Sequence, residues 1–98
     1  MYKRNRNPDQ VRVYMPKQGE IIGQIEELLG ASRFKINCSD GHLRMCRMPG
    51  KFRRRMKIHV GDFVVIKPWD IEPKEKGDIV FVYNKTQTSI LKKRGIIK

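Results

Sequence analysis

The 98-residue chain is short of acidic residues, of cysteine and of long apolar runs, and each shortage narrows what it can be. It has 10 Asp and Glu against 22 Lys and Arg, a net charge of +12. Such an excess points to a polyanionic partner, nucleic acid first and an anionic membrane second. No apolar stretch approaches the ~20 residues of a spanning helix, so no membrane partner is expected. The two cysteines, Cys38 and Cys46, are too few for a disulfide scaffold. Together with His42 and His59 they are metal-ligand types, but their spacing matches no zinc knuckle or ribbon, and neither metal nor cofactor is expected. Ser39, Asp40 and His42 are nucleophile, acid and base by type. They crowd one turn, whereas a catalytic triad is assembled from separated elements. No Walker-type loop and no carboxylate pair at a strand end is present, so no catalytic residue is assigned and no enzyme is expected.

The positive charge is unevenly spread. Residues 1–17 carry net +4, residues 51–57 +5 and residues 85–98 +5, while the segments between them are near neutral or acidic. Basic appendages on a folded scaffold fit that distribution. The densest is Lys51-Phe52-Arg53-Arg54-Arg55-Met56-Lys57, which follows the turn signal Pro49-Gly50 and is predicted to sit on a loop between strands. Its five cations repel one another until a polyanion neutralises them, and the arginine forks suit phosphate oxygens. The N-terminus is polar through Gln10, without the apolar segment of a signal peptide, and there is no Gly at position 2 or prenylation box at the end. A soluble cytoplasmic protein is expected, with large anions as its partners; a monomer suffices for that task.

Three regions are predicted: a mobile basic arm over 1–17, a barrel over 18–84, and a helix with a basic tail over 85–98. Gln18–Leu29 reads as a first strand, and Gly23 inside it marks a bulge or bend of the kind a small closed barrel needs. Arg33–Cys38 and Leu43–Met48 form a hairpin around Ser39-Asp40-Gly41-His42. With Asp40-Gly41 as a two-residue turn, Cys38 faces Leu43, Ile36 faces Met45 and Lys35 faces Cys46. Phe34, Ile36, Cys38, Leu43 and Met45 then point to the core, while Arg33, Lys35, Asn37, Arg44 and Cys46 form an exposed basic face. In that register Cys38 and Cys46 lie on opposite faces, which also argues against a disulfide. The apolar run Phe63–Ile66 is a buried strand, Lys67-Pro68-Trp69 closes it, and Ile79–Tyr83 is a fifth strand. Five short strands suit a Greek-key barrel. Thr86–Arg94 reads as a helix with Asn84 and Gln87 as a capping box and Gly95 as its stop.

Barrels of this kind present such a hairpin face to oligonucleotides, although this face offers no aromatic platform for stacking bases. Trp69 and Phe52 fit either base stacking or core packing.

The run from Asn37 to Arg55, with its Cys-x-Asp-Gly hairpin, second Cys and Gly-Lys-x-Arg followed by further bases, resembles the central signature of the archaeal and eukaryotic translation initiation factor 1A family. The first strand between Gly19 and Gly30, and Asp78–Asn84 leading into the helix, fit as well. Bacterial initiation factor 1 shares the barrel more distantly. The resemblance implies an all-β, five-stranded OB-fold Greek-key barrel with a short C-terminal helix. It also implies binding to the rRNA of the small ribosomal subunit at the A site, recruitment of initiator tRNA and selection of the start codon, alongside other initiation factors. The RNA surface it implies comprises Lys51, Arg53, Arg54, Arg55 and Lys57 of the loop and Arg33, Lys35, Arg44 and Lys67 of the barrel; Trp69, on its base-stacking reading, is counted with the RNA-binding candidates. Lys3, Arg4 and Arg6 of the arm reach toward the tRNA. Eukaryotic members continue into an acidic tail that docks another factor; this sequence is basic up to Lys98, which favours an archaeal-type member. A general single-strand RNA-binding OB protein or RNA chaperone is the alternative, and a permanent ribosomal protein a further one.

Overall fold

A computed structural model describes residues 13–30, 32–48 and 58–97. The basic loop 51–57, with Phe52 in it, and Lys3, Arg4 and Arg6 lie outside the described residues. Five strands, β1 (Ile21–Gly30), β2 (Arg33–Cys38), β3 (Leu43–Arg47), β4 (Phe63–Pro68) and β5 (Lys76–Val82), form a closed barrel in the order β1-β2-β3-β5-β4. The helix α1 (Lys85–Lys93) follows. All neighbours are antiparallel except β3 and β5, which run parallel from Met45–Lys76 to Arg47–Asp78.

Closure rests on β1, which pairs with β2 along one edge and with β4 along the other. Its register with β2 slips twice, between Ile25 and Glu27 and between Leu28 and Gly30, and these slips, rather than Gly23, supply the irregularity. Gly23 meets a different demand. It pairs with Cys38 on one side and Val64 on the other, and a Cβ there would run into Ile36 Cγ2 across the narrow interior.

The hairpin differs from expectation by one residue. Asn37 pairs with Leu43, Ile36 with Arg44, Lys35 with Met45, Phe34 with Cys46 and Arg33 with Arg47. Cys38 N donates to His42 O at 3.0 Å, so the loop is Ser39-Asp40-Gly41, three residues long. Gly41 has φ +90°, the left-handed position that a three-residue hairpin loop reserves for glycine. Because side chains alternate, one residue of slip turns all of β3 over. Leu43 and Met45, expected in the core, are 49% and 36% exposed. Arg44 and Cys46, expected outside, point inward and are buried.

Two apolar clusters follow. The barrel interior holds Ile25, Ile36, Cys38, Cys46, Met48, Val64, Ile66 and Ile79. A second cluster joins Val13, Ile22, Val65, Tyr83, Ile90 and Leu91 between the outside of the barrel and α1. β4 is buried on both sides, Val64 and Ile66 inward and Val65 toward α1, which accounts for its unbroken apolar run. α1 starts and stops where its sequence says. Asn84 Oδ1 accepts from Gln87 N at 2.8 Å and Gln87 Oε1 from Asn84 N at 2.9 Å. Gly95, at φ +76°, ends it with a Schellman pair, Ile96 N to Leu91 O and Gly95 N to Lys92 O.

The segment Val13–Lys17, at the end of the expected arm, lies against the barrel. Val13 is buried, Tyr14 stacks on Phe81 with ring centroids 4.6 Å apart, and the Tyr83 hydroxyl donates to Tyr14 O. The Tyr14 hydroxyl and Lys17 N both donate to Glu20 Oε1, at 2.7 and 3.0 Å, which holds the Glu20 carboxyl below its ordinary range. Removing residues 1–17 is therefore expected to cost ~2 kcal/mol or more in unfolding free energy relative to removing 1–12 alone, measured by urea denaturation, because the apolar surface of Val13 and Tyr14 no longer packs on the barrel.

Candidate nucleic-acid interface

The helix and Val13 cover the outer surface of β1, β4 and the end of β5. Among the described residues, the outer surface of β2 and β3, with the adjoining start of β5 and end of β4, is left open. On it the strands align one row of side chains. Arg33 pairs with Arg47 across β2 and β3, Arg47 with Asp78 across β3 and β5, and Asp78 with Lys67 across β5 and β4. Three cations and one carboxylate thus occupy four adjacent strands at spacings of ~4.8 Å. Like charges directly opposite on one face destabilise a strand pair, so Arg33 and Arg47 form an unfavourable couple until an anion joins them. Arg47 Nε lies 3.8 Å from Asp78 Oδ1, which relieves part of that repulsion.

Trp69 sits beside this row. It is partly buried, belongs to neither apolar cluster, and has the Arg47 guanidinium 5.1 Å from its ring centroid. That cation–π pairing places it on the open face rather than in the core. Its backbone N donates to Lys76 O at 3.0 Å, which fixes the chain as it leaves β4. Lys35, next to the row, is partly exposed and its ammonium lies 3.5 Å from Glu27. Leu43 and Met45 stand between these cations, so the face is mixed rather than purely basic.

The structure therefore brings Arg33, Lys35, Lys67 and Trp69 of the expected RNA surface onto one face. Arg44 is not on it. It is 3% exposed, and all three of its guanidinium nitrogens donate: Nη1 and Nη2 to Asp40 Oδ1 and Oδ2 at 3.0 and 2.9 Å, and Nε to Pro73 O at 2.6 Å. Arg44 ties the hairpin turn to the loop between β4 and β5, and Met45 N reinforces that seam by donating to Glu75 O at 2.9 Å. The guanidinium beside Asp40 holds its carboxyl below the ordinary range. Arg47 takes the outward place instead. The sequence signal for it is the three-residue loop ending in Gly41, which sets the parity of β3.

The same correction moves Cys46 inside with Cys38. Both are free and buried, and burial pushes the Cys46 thiol up to about 12, so it is neutral and unreactive. The opposite-face ground for excluding a disulfide thus does not hold. Among the described residues, no three His, Cys, Asp or Glu side chains gather as a metal-ligand set.

A closed five-stranded barrel with a parallel β3–β5 contact, one outer sector under a helix and another, among the described residues, open and cationic, defines a small OB-fold protein. A family model described as translation initiation factor 1A / IF-1 matches residues 10–98. The chain belongs to that family. It is 42% identical over 87 residues to translation initiation factor 1A of Methanothermobacter thermautotrophicus, covering 89% of this chain and 88% of that protein. With the protein of that name from Methanococcus aeolicus it shares 44% over 91 residues, covering 93% and 87%. With the one from Pyrobaculum aerophilum it shares 47% over 81 residues, covering 83% and 70%. The solution structure of a bacterial translation initiation factor 1, from a Wolbachia endosymbiont of Brugia malayi, superposes with a TM-score of 0.51 at 30% identity, over 70% of this chain and 82% of that one. YjeQ from Thermotoga maritima matches with a TM-score of 0.54 at 25% identity, over 66% of this chain but 23% of that one.

Replacing Arg44 with Ala should lower unfolding free energy by ~2–3 kcal/mol, since it strands the Pro73 carbonyl and the Asp40 carboxylate, whereas Arg47→Ala should stay within ~0.5 kcal/mol. The Asp40 pKa is depressed in the fold, so its contribution is complete above the unfolded value near 3.8 and is lost as pH falls toward the folded value. Thermal melts between neutral and acid pH should show Asp40→Asn losing stability at neutral pH and showing a shallower acid decline than the unaltered protein.

Proposed function

We propose that this protein is a translation initiation factor that binds the rRNA of the small ribosomal subunit at the A site and promotes initiator tRNA recruitment and start-codon selection. The observation that carries this reading is the Arg33–Arg47 couple on the open face, a local charge repulsion that phosphate oxygens relieve. Lys35, Lys67 and Trp69 extend that surface. The chain enters the segment holding Lys51, Arg53, Arg54, Arg55 and Lys57 directly after Arg47 and the buried Met48, and leaves it at Ile58, which packs on the barrel interior. Met48 lies in the barrel interior and Ile58 packs against it, so both flanks of that basic segment are tied to the barrel. Lys3, Arg4 and Arg6, which precede the anchored Val13–Tyr14 segment in the sequence, serve the tRNA. Membership of the initiation factor 1A family supports the role in initiation, and the archaeal relatives support an archaeal type.

The protein works by occupancy, without catalysis. Its cations neutralise rRNA phosphates, and the barrel fills the site an elongator tRNA would otherwise enter. It acts in the cytoplasm as a monomer with the other initiation factors. A chemical footprint on purified small subunits is expected to show protection in the A-site region of the rRNA; protection confined elsewhere would overturn the placement. Arg53, Arg54 and Arg55 all changed to Ala should weaken binding to the subunit and flatten the slope of log K against log salt by roughly 0.7–0.9 for each phosphate no longer neutralised, with the melting profile unchanged.

A further inference from the structure

The open face holds a group whose sign is wrong for a phosphate. Asp78 lies in the centre of the row, with Arg47 opposite it on β3 and Lys67 opposite it on β4. Its side chain is 38% exposed. Its ion pair with Arg47 Nε, at 3.8 Å, is beyond hydrogen-bond length, so the carboxylate oxygens keep acceptor capacity. A carboxylate flanked by cations on both neighbouring strands repels phosphate where it stands and takes a hydrogen-bond donor instead.

The order of groups along a nucleic-acid strand matches the order of groups along the row. Between two successive phosphates lies a sugar. Arg47 and Lys67 are rooted about 10 Å apart across two strand spacings, wider than two successive phosphates, and their long flexible side chains close that gap; with successive phosphates held on them, the group facing Asp78 is a ribose. In RNA that sugar carries a 2′-hydroxyl, which is a donor, and in DNA it carries none. We propose that Asp78 reads the ribose: its carboxylate accepts a hydrogen bond from a 2′-hydroxyl of the strand lying on this face, so the face discriminates RNA from DNA. The inference rests on the RNA-binding reading of the face and adds to it the residue that sets its preference. Asp78 is thus a specificity-determining residue, while Arg33, Arg47 and Lys67 supply affinity without regard to the sugar.

The test compares three short single-stranded probes of one base sequence by fluorescence anisotropy at fixed salt: RNA, its 2′-O-methyl counterpart and the deoxy counterpart with deoxyuridine for uridine. The unaltered full-length chain should bind the RNA about tenfold tighter than either other probe, the scale of a hydrogen bond to a charged group. Asp78→Ala should bring the three within about twofold, with binding of the deoxy probe strengthened because a repulsive charge is gone. Asp78→Asn, which keeps an acceptor oxygen but no charge, should retain an intermediate preference for RNA. If Asp78→Ala and Asp78→Asn strengthen RNA and DNA by one common factor, the carboxylate merely offsets the neighbouring cations and the proposal fails, while RNA binding by the face stands. If the unaltered protein fails to distinguish RNA from its 2′-O-methyl form, the proposal fails on the native chain, whatever the variants do. If it binds no probe at all, the RNA-binding reading of the face falls, and the ribose contact with it.

Discussion

The pairing of Arg44 with Asp40 across the β2–β3 turn is the interaction on which the rest of the surface depends. A buried guanidinium is tolerated only when its charge is paired and hydrogen-bonded, and here two carboxylate oxygens and the Pro73 carbonyl each accept from one of its three nitrogens. Asp40 is within reach because the loop has three residues and Gly41 takes a left-handed conformation that other residues adopt at a cost. Once Arg44 is inside, alternation sends Cys46 inward as well and Leu43, Met45 and Arg47 outward. The slip of a single residue would exchange the two sets, dissolve the Arg33–Arg47–Asp78–Lys67 row and expose the thiol of Cys46. The stability of the hairpin and the chemistry of the open face are thus two consequences of one salt bridge.

Burial decides which side of the barrel is available. The interior cluster closes the barrel, but the second cluster chooses its orientation, since α1 and Val13 take the outer side of β1 and β4. Val65 and Phe63 need that cover, and α1 is too short to persist without it. What remains is the β2–β3 side with the neighbouring ends of β4 and β5. The cations collect there because exposed like charges in a row cost less in water than they would under a helix.

The open face is not simply basic. Asp78 interrupts the row, Leu43 and Met45 stand among the cations, and Trp69 is braced by Arg47. A surface that only attracted polyanions would have no use for a central carboxylate. The mixture of charge, acceptor and apolar groups suits a strand with phosphates, sugars and bases presented in turn.

Much of this is legible in the residues alone. The five strands, the buried β4, the capping box of Asn84 and Gln87 and the Gly95 stop are local features, written in periodicity and in residues with restricted backbone preferences. The family signature is local too, because it runs through contiguous positions from Asn37 to Arg55. Arg33, Lys35 and Lys67 face outward as their sequence context implies, since β2 alternates plainly and Lys67 closes an apolar run. Arg44 turns inward and Leu43 and Met45 outward although hydrophobicity favours the reverse, and that local preference loses to a turn conformation and an ion pair. The docking of Val13 and Tyr14 is hidden because their partners, Phe81 and Tyr83, lie far along the chain. Composition and order determined that this is a small basic barrel with a helical end. Which face of each strand meets water was left to the tertiary structure, because parity in a hairpin is set by how its ends are tied to distant loops, and no residue carries that information by itself.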